Sequence, residues 1–251
     1  MTTPESSRDT AKLYEVYDFL RAETPQLDVP INGVVFGRCD PLVGERAAQV
    51  ALEGQVGALV ITGGVGKDTG PLLNRGYKSE AGYLQTVFNH EIAGRLKLPV
   101  FLDENAINGT ENAVNSVKIF AENGLNTNHL LAIAHATSLR RLAETLRNEA
   151  QEHSKPNPVT IGRRASNYAF DSTNPLDEKE ALLEGLRLLD WPKSGALPTP
   201  LEQMDDNLED FVRGRSDALG LKTPIVASPL KSRLLHMIPR NVRPAVLQRL
   251  V

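Results

Sequence analysis

The chain has 251 residues, a formal net charge of −3 and a pI near 6.0, a balance that does not favour nucleic acid or an anionic membrane as a partner. Hydrophobic residues make up 41% of the chain and charged residues 24%, as in ordinary globular domains. Its single cysteine, Cys39, excludes an internal disulfide and suits a reducing compartment.

No stretch approaches the ~20 consecutive apolar residues that a membrane span needs, and the polar segment Met1–Thr10 does not resemble a secretory signal. We therefore expect a cytoplasmic protein whose partner is a small molecule. Its oligomeric state is left open.

Short apolar runs alternate along the chain with segments of helical periodicity. The Gly-bounded run Ala58–Ile61 is typical of a strand buried on both faces. In chain order, the pattern predicts helices or strands at 10–23 (helix), 31–36 (strand), 41–53 (helix), 58–61 (strand), 79–96 (helix), 99–103 (strand), 109–123 (helix), 130–134 (strand), 138–152 (helix), 158–162 (strand), 176–189 (helix) and 201–219 (helix). This alternation predicts an α/β fold with a Rossmann-like parallel sheet and helices on both faces.

The composition changes after residue 193. Pro192, Pro198 and Pro200 mark a linker, and short helices are expected from there to the end. We predict a Rossmann-like domain at 1–193, including the N-terminal helix, and a small helical appendage at 194–251 that packs against that helix.

Several common catalytic motifs are missing. The segment Gly63–Lys67 looks like a P-loop, but Ile61 and Asp68 occupy positions where that motif has Gly and Ser or Thr. No G-x-G-x-x-G follows the first strand, and no G-x-S-x-G occurs. The histidines lack metal-ligand spacing, and Cys39 has no histidine near it in sequence to activate it as a nucleophile.

What remains is a set of groups at the ends of the predicted strands: Gly37, Gly63–Gly64, Asp103–Glu104 and His135. Parallel strands place their carboxyl ends at one edge of the sheet, so these groups would line one crevice. The paired glycines can turn sharply and present N–H groups to a ligand. Glu104 and His135 can act as a general base, although acids at strand ends also serve as caps and His135 can be structural.

Arg140 and Arg141 fall in the first turn of a predicted helix, where cations are disfavoured by roughly 0.3–1 kcal/mol each. A compensating anion is therefore expected. It is either a nearby carboxylate, Glu104 or Glu111, or the phosphate or carboxylate of a ligand. Glu111 also completes a capping box with Asn108.

The order of four segments resembles the SanA/YdcF-like domain-of-unknown-function family, and its YdcF branch in particular. The segments are Thr62–Gly66, Lys78–Ala81, Asp103–Glu104 leading to Thr110–Ala113, and His135 through Arg141. The likeness covers about Ile31 to Arg147. Where many members have Ser and Thr before the Glu-Asn pair, this chain has Ala106 and Gly109.

The resemblance implies a Rossmann-like core with a crevice at the strand ends, and S-adenosylmethionine as a possible ligand of the YdcF branch. By matching position, the resemblance also implies a set of ligand-binding residues: Gly63, Gly64, Glu80, Glu111, Asn112 and Arg141. We add Gly37 and Arg140 as expected ligand-binding residues, and Glu104 and His135 as expected catalytic residues.

The expected function is thus binding of an anionic nucleoside-type ligand, with no metal. One alternative is a hydrolase or transferase acting on a phosphorylated or glycosylated metabolite, with Glu104 or His135 as base and Arg141 as phosphate clamp. Another is a non-catalytic partner-binding protein that uses the C-terminal helices.

Overall fold

The structure is a computed structural model that describes residues 4–25, 29–66, 69–191 and 203–223. Its described strands are β1 (Ile31–Phe36), β2 (Val56–Thr62), β3 (Val100–Asp103), β4 (His129–Ala134) and β5 (Thr160–Ala165). All neighbouring strands are parallel, and they form one sheet in the order β3-β2-β1-β4-β5. The predicted α/β class with a Rossmann-like parallel sheet is confirmed.

The helices lie on both faces of this sheet. Their bounds are α1 (Pro4–Arg21), α2 (Pro41–Leu52), α3 (Gly70–Asn74), α4 (Glu80–Ile92), α5 (Gly109–Glu122), α6 (Leu139–Ser154), α7 (Pro175–Asp190) and α8 (Asp206–Ala218), with a 3-10 turn at Ala136–Ser138.

Strand β2 shows how the two faces are built. Ala58 and Val60 belong to the core beneath α1 and α5–α8, whereas Leu59 and Ile61 belong to the core beneath α2 and α4. All are 0–1% exposed. Because side chains alternate between the faces of a strand, a continuous apolar run fits this doubly covered position.

Some predicted boundaries were wrong. Strand β5 continues to Ala165, because its backbone pairs with β4 as far as that residue. The polar side chain of Arg164 is accommodated by hydrogen bonds to Gln55 Oε1 (2.8 Å) and the Thr24 carbonyl (2.7 Å). Helix α4 ends at Ile92, because Ala93 adopts a left-handed conformation at φ 42°. Helix α3 falls between the predicted strand 58–61 and the predicted helix 79–96, where no element was predicted.

Helix α8 packs on α1 and α7. Leu208 and Val212 of α8 share one buried cluster with Leu13 and Val16 of α1. The expected boundary at 193/194 and the short helices expected after residue 223 lie outside the described residues. No helix in the described ranges is long and apolar enough to cross a membrane.

Candidate functional site

The sheet order places a topological switch point between β1 and β4. From β1 the chain builds β2 and β3 on one side, and it then returns to build β4 and β5 on the other. Helices diverge at such a point, and the carboxyl ends of the two strands border a crevice. Here those ends lead into the segment Gly37–Asp40 and into His135.

The loops after β1 and β2 approach each other very closely. A Cβ atom added to Gly37 would lie 2.7 Å from Gly63 Cα and 2.6 Å from the Thr62 carbonyl oxygen. Gly63 also has a φ of +132°, a conformation that side chains rarely adopt. Glycine is therefore required at both positions by backbone contact.

The N–H groups of the paired glycines are not directed at a ligand, which corrects our expectation. Gly63 N–H donates to the Asp103 carbonyl at 2.9 Å, and Gly64 N–H donates to the Ala106 carbonyl at 2.6 Å. These bonds fasten the β2 loop to the β3 loop, so the two amides hold the edge together.

Glu80 lies at the centre of this edge. Its Oε2 is 2.9 Å from the position of a Cβ on Gly37 and 3.3 Å from one on Gly63, and its Oε1 is 3.4 Å from one on Gly66. Oε1 accepts a hydrogen bond from Thr69 Oγ1 at 2.8 Å and contacts Cys39 Sγ at 3.8 Å. The residue is half-buried and begins α4, where a carboxylate complements the helix dipole.

Asp103 and Asn112 lie deeper, 6% and 7% exposed. Thr62 Oγ1 lies 2.8 Å from Asp103 Oδ2 and 3.2 Å from Asn112 Oδ1, and Asn115 Nδ2 donates to Asp103 Oδ2 at 3.0 Å. Asn112 was expected to recognise a ligand. Its burial and its contact with Thr62 instead tie α5 to the ends of β2 and β3.

Glu104 and Glu111 are both half-buried at the β3 side of the edge. Ser79, the N-cap of α4, donates to Glu104 Oε1 at 2.6 Å. Glu111 N–H donates to Asn108 Oδ1 at 2.9 Å, and Glu111 Oε2 accepts from the Ile107 N–H at 3.2 Å. The expected N-cap at Asn108 is confirmed. The Glu111 carboxylate lies at the same helix start, where its Oε1 accepts from Asn108 Nδ2 at 3.2 Å.

His135 is only 2% exposed. Its Nδ1 lies 2.9 Å from Thr137 Oγ1, its Nε2 lies 3.4 Å from Asp40 Oδ2, and its ring packs 4.5 Å from that of Tyr168. Burial, with a further contribution from Arg38, lowers the pKa of His135 to about 4. The ring is therefore neutral near pH 7, and its burial is that of a structural histidine.

Arg38 follows Gly37 directly and faces α7. Its two terminal nitrogens each lie 2.7 Å from a carboxylate oxygen of Glu180, and Thr137 Oγ1 donates to Glu180 Oε1 at 2.5 Å. Burial alone would raise the pKa of Glu180, but the bonds and charge of Arg38 lower it to about 2. The Arg38 side chain remains 35% exposed, so solvent still reaches this cation.

The two arginines that follow β4 do not face one anion. Arg140 is buried against α1, where its Nε donates to the Phe19 carbonyl at 2.7 Å and its guanidinium lies 3.9 Å from the Phe19 ring centre. Arg140 is thus buried against α1, and these contacts give no support to its expected role in binding a ligand. The helix register turns it toward the core that α1 covers.

Arg141 does meet a carboxylate, but neither of the two expected. Its Nε donates to Glu184 Oε2 at 2.6 Å. Glu184 also pairs with Arg187 of the same helix, and both guanidinium groups lie near the Trp191 ring. The expected anion is thus supplied by α7, 43 residues further along the chain.

Sequence reasoning missed Arg38, Asp40 and Glu180. Arg38 and Asp40 stand directly after the first predicted strand, in a segment of which only Gly37 and Cys39 were considered as site residues. Glu180 carried no local signal, because it lies 142 residues from Arg38. Within the described ranges, the structure contains no group of three or more His, Cys, Asp or Glu side chains arranged to hold a metal ion.

No family model matches the chain, and a comparison with curated proteins finds no match. The class that the fold itself establishes is that of α/β proteins with a Rossmann-like parallel sheet.

Proposed function

We propose that this protein binds a small nucleoside-type ligand at the carboxyl edge of the sheet, beside the loops that follow β1 and β2. Glu80 accepts hydrogen bonds from hydroxyl or amino groups of the ligand, and Arg38 faces its anionic group. S-adenosylmethionine, which carries hydroxyl, amino and carboxylate groups, is the first ligand to test.

The observation that carries this proposal is the position of the Glu80 carboxylate among three glycines. Gly37, Gly63 and Gly66 bring backbone close to its oxygens, beside the hydroxyl of Thr69 at 2.8 Å and the thiol of Cys39 at 3.8 Å. Because glycines have no side chains, a ligand can approach this half-buried carboxylate closely, and the hydroxyl groups of a sugar need acceptors at close range.

Arg38 supports the anionic half of the proposal. It lies one residue after Gly37, and its side chain is 35% exposed although it pairs with Glu180. A guanidinium already oriented by a carboxylate needs little reordering to accept a second anion. Arg38 thus takes the role that we expected of Arg140 and Arg141.

Membership of the SanA/YdcF-like family remains part of this proposal. Its support is spatial, because the four segments that carry the resemblance follow β2, open α4, connect β3 to α5 and follow β4. In a parallel sheet these places share the carboxyl edge.

The test is titration calorimetry of the full chain with S-adenosylmethionine and with common nucleotides. We expect Glu80→Gln to weaken binding about tenfold or more, which corresponds to ~1.4 kcal/mol. The matched control is Glu122→Gln, which removes a 60% exposed carboxylate at the far end of α5. Absence of heat from every ligand, or equal binding by both variants, would exclude the proposal.

Cys39 provides a second measurement. It is the single cysteine of the chain and its Sγ lies 3.8 Å from Glu80 Oε1. A ligand bound at Glu80 should slow alkylation of Cys39 in the wild type. Unchanged labelling at a saturating concentration would place the ligand elsewhere.

A hydrolase or transferase is the second candidate. For its general base, the contact of Ser79 with Glu104 favours Glu104 over His135. Glu104 is half-buried at the end of β3, whereas His135 is enclosed. Turnover of a phosphoester or glycoside panel that is lost in Glu104→Gln, but kept in Glu122→Gln, would support this function. A folded protein with no turnover would count against it.

A further inference from the structure

A cavity of about 570 Å³ opens at the carboxyl end of β5, away from Glu80. The end of α1 lines one side of it with Asp18, Arg21, Ala22 and Glu23. The segment after β5 lines the other side, where Asn167 and Tyr168 contribute. Its volume is in the range of small-molecule sites.

The charges around this cavity are mixed. Asp18 is acidic, and the end of α1 adds the partial negative charge of a helix carboxyl terminus. Glu23 is acidic too, but its carboxylate already accepts from Arg46 Nη2 at 2.9 Å and from the Ala165 N–H at 2.8 Å. Arg21 is the cation of the lining. One side therefore favours an ammonium group, whereas Arg21 favours a carboxylate.

The pairing of Asp18 with Arg21 is weak enough to be exchanged for a ligand. Their side chains are 61% and 51% exposed, and the Arg21 Nε to Asp18 Oδ1 distance is 2.9 Å. Exposed pairs of this kind contribute only ~0–1 kcal/mol.

The other side of the cavity is more firmly built. Tyr168 donates its hydroxyl to Asp177 Oδ1 at 2.6 Å, and its backbone carbonyl accepts from Tyr17 at 2.7 Å. Within the described part of the chain, the side-chain amide of Asn167 has no hydrogen-bond partner, so it can both donate and accept.

We propose that this cavity is a second binding site, for a small zwitterion of the free amino-acid class. Its ammonium group lies against Asp18 and the end of α1, and its carboxylate is bound by Arg21 and Asn167. The site is independent of the nucleoside crevice, and each can fail without the other.

The experiment is amide NMR of the full chain titrated with a panel of free amino acids, with acetate and methylammonium as probes that carry one charge each. We expect at least one amino acid to shift the signals of Asn167 and Tyr168. Acetate and methylammonium should bind about tenfold more weakly or not at all, because each makes half of the contacts.

The variant Ala22→Leu fills the cavity and should abolish these shifts. Ala121→Leu, at an exposed position of α5, makes the same change of size elsewhere and should leave them intact. Arg21→Gln should weaken binding about tenfold. Absence of shifts for every amino acid, or shifts that persist in Ala22→Leu, would overturn the proposal, whatever the outcome for Glu80→Gln.

Discussion

The carboxylates at the two sides of the sheet edge are held in different ways. On the β2–β3 side, Glu80, Asp103 and Glu104 accept hydrogen bonds from hydroxyl, thiol and amide groups. On the α7 side, Glu180 and Glu184 are held by guanidinium groups. The first arrangement positions acceptors at the edge, and the second fastens a helix to it.

This difference makes the buried Glu184 pairs of α7 more sensitive to the loss of a charge than the β2–β3 side is. A hydroxyl or amide that loses its acceptor stays neutral, whereas a buried guanidinium that loses its carboxylate remains a charge in a poor solvent. The following predictions test that contrast, in order of decreasing expected effect.

The largest effect is expected for Glu184→Gln. Glu184 is 3% exposed and lies between Arg141 and Arg187, so its loss leaves two guanidinium groups without their carboxylate. We expect the free energy of unfolding to fall by about 3–5 kcal/mol, measured by urea denaturation. The control is Glu152→Gln. The Glu152 side chain is 61% exposed and pairs with Lys155, so its replacement should lower the free energy of unfolding by less than ~1 kcal/mol. Equal losses would contradict the contrast.

The second prediction concerns the pH dependence of stability through His135 and Glu180, whose Nδ1 and Oε1 atoms lie 3.8 Å apart. Burial lowers the pKa of His135 from 6.5 to about 4, so the unfolded chain takes up this proton at higher pH than the folded chain. The free energy of unfolding should therefore fall as the pH drops from about 6.5 to about 4, by on the order of 2–3 kcal/mol. Glu180, whose pKa is lowered to about 2, adds a further loss below its ordinary value of 4.5.

Urea midpoints measured between neutral pH and about pH 4 would check this dependence. His135→Gln should remove the loss of stability between about pH 6.5 and about pH 4 that His135 causes. The further loss below pH 4.5 that Glu180 contributes should remain. A wild type that shows no loss above pH 4.5 would contradict the enclosed position of the His135 ring.

The third prediction concerns the β2–β3 side. Asp103→Asn replaces an acceptor that meets Thr62, Asn115 and the Asn105 N–H. We expect a loss of about 1–3 kcal/mol, the range for donors left without a partner in the interior. A loss as large as that of Glu184→Gln would show that neutral donors and guanidinium groups do not differ here.

The smallest effect on stability is expected for Arg38→Gln. Both members of the Arg38–Glu180 pair are about one-third exposed, with side-chain values of 35% and 32%. Solvent screening limits the cost to ~0–1 kcal/mol. Affinity for an anionic nucleoside ligand should nevertheless fall about tenfold, measured by calorimetry. A stable variant with full affinity would exclude Arg38 from the ligand site.

The sequence was sufficient for the sheet because its signals are local. Ala58–Ile61 with the glycines after it predicted β2, and Asn108 with Glu111 predicted the start of α5. The pairing of Arg141 with Glu184 had no such signal, since it depends on where α7 lies over the edge. Arg140 was misplaced because two adjacent residues of a helix point about 100° apart, and only the packing of α1 decides which one is buried.

The contact of α8 with α1 and α7 has a consequence for synthesis of the chain. Leu13 and Val16 near the amino terminus share their buried cluster with Leu208 and Val212, which leave the ribosome about two hundred residues later. Until then the apolar stripe of α1 lacks part of its cover and can associate with other nascent chains or chaperones. A protein released before α8 should therefore aggregate through α1, even with its sheet complete.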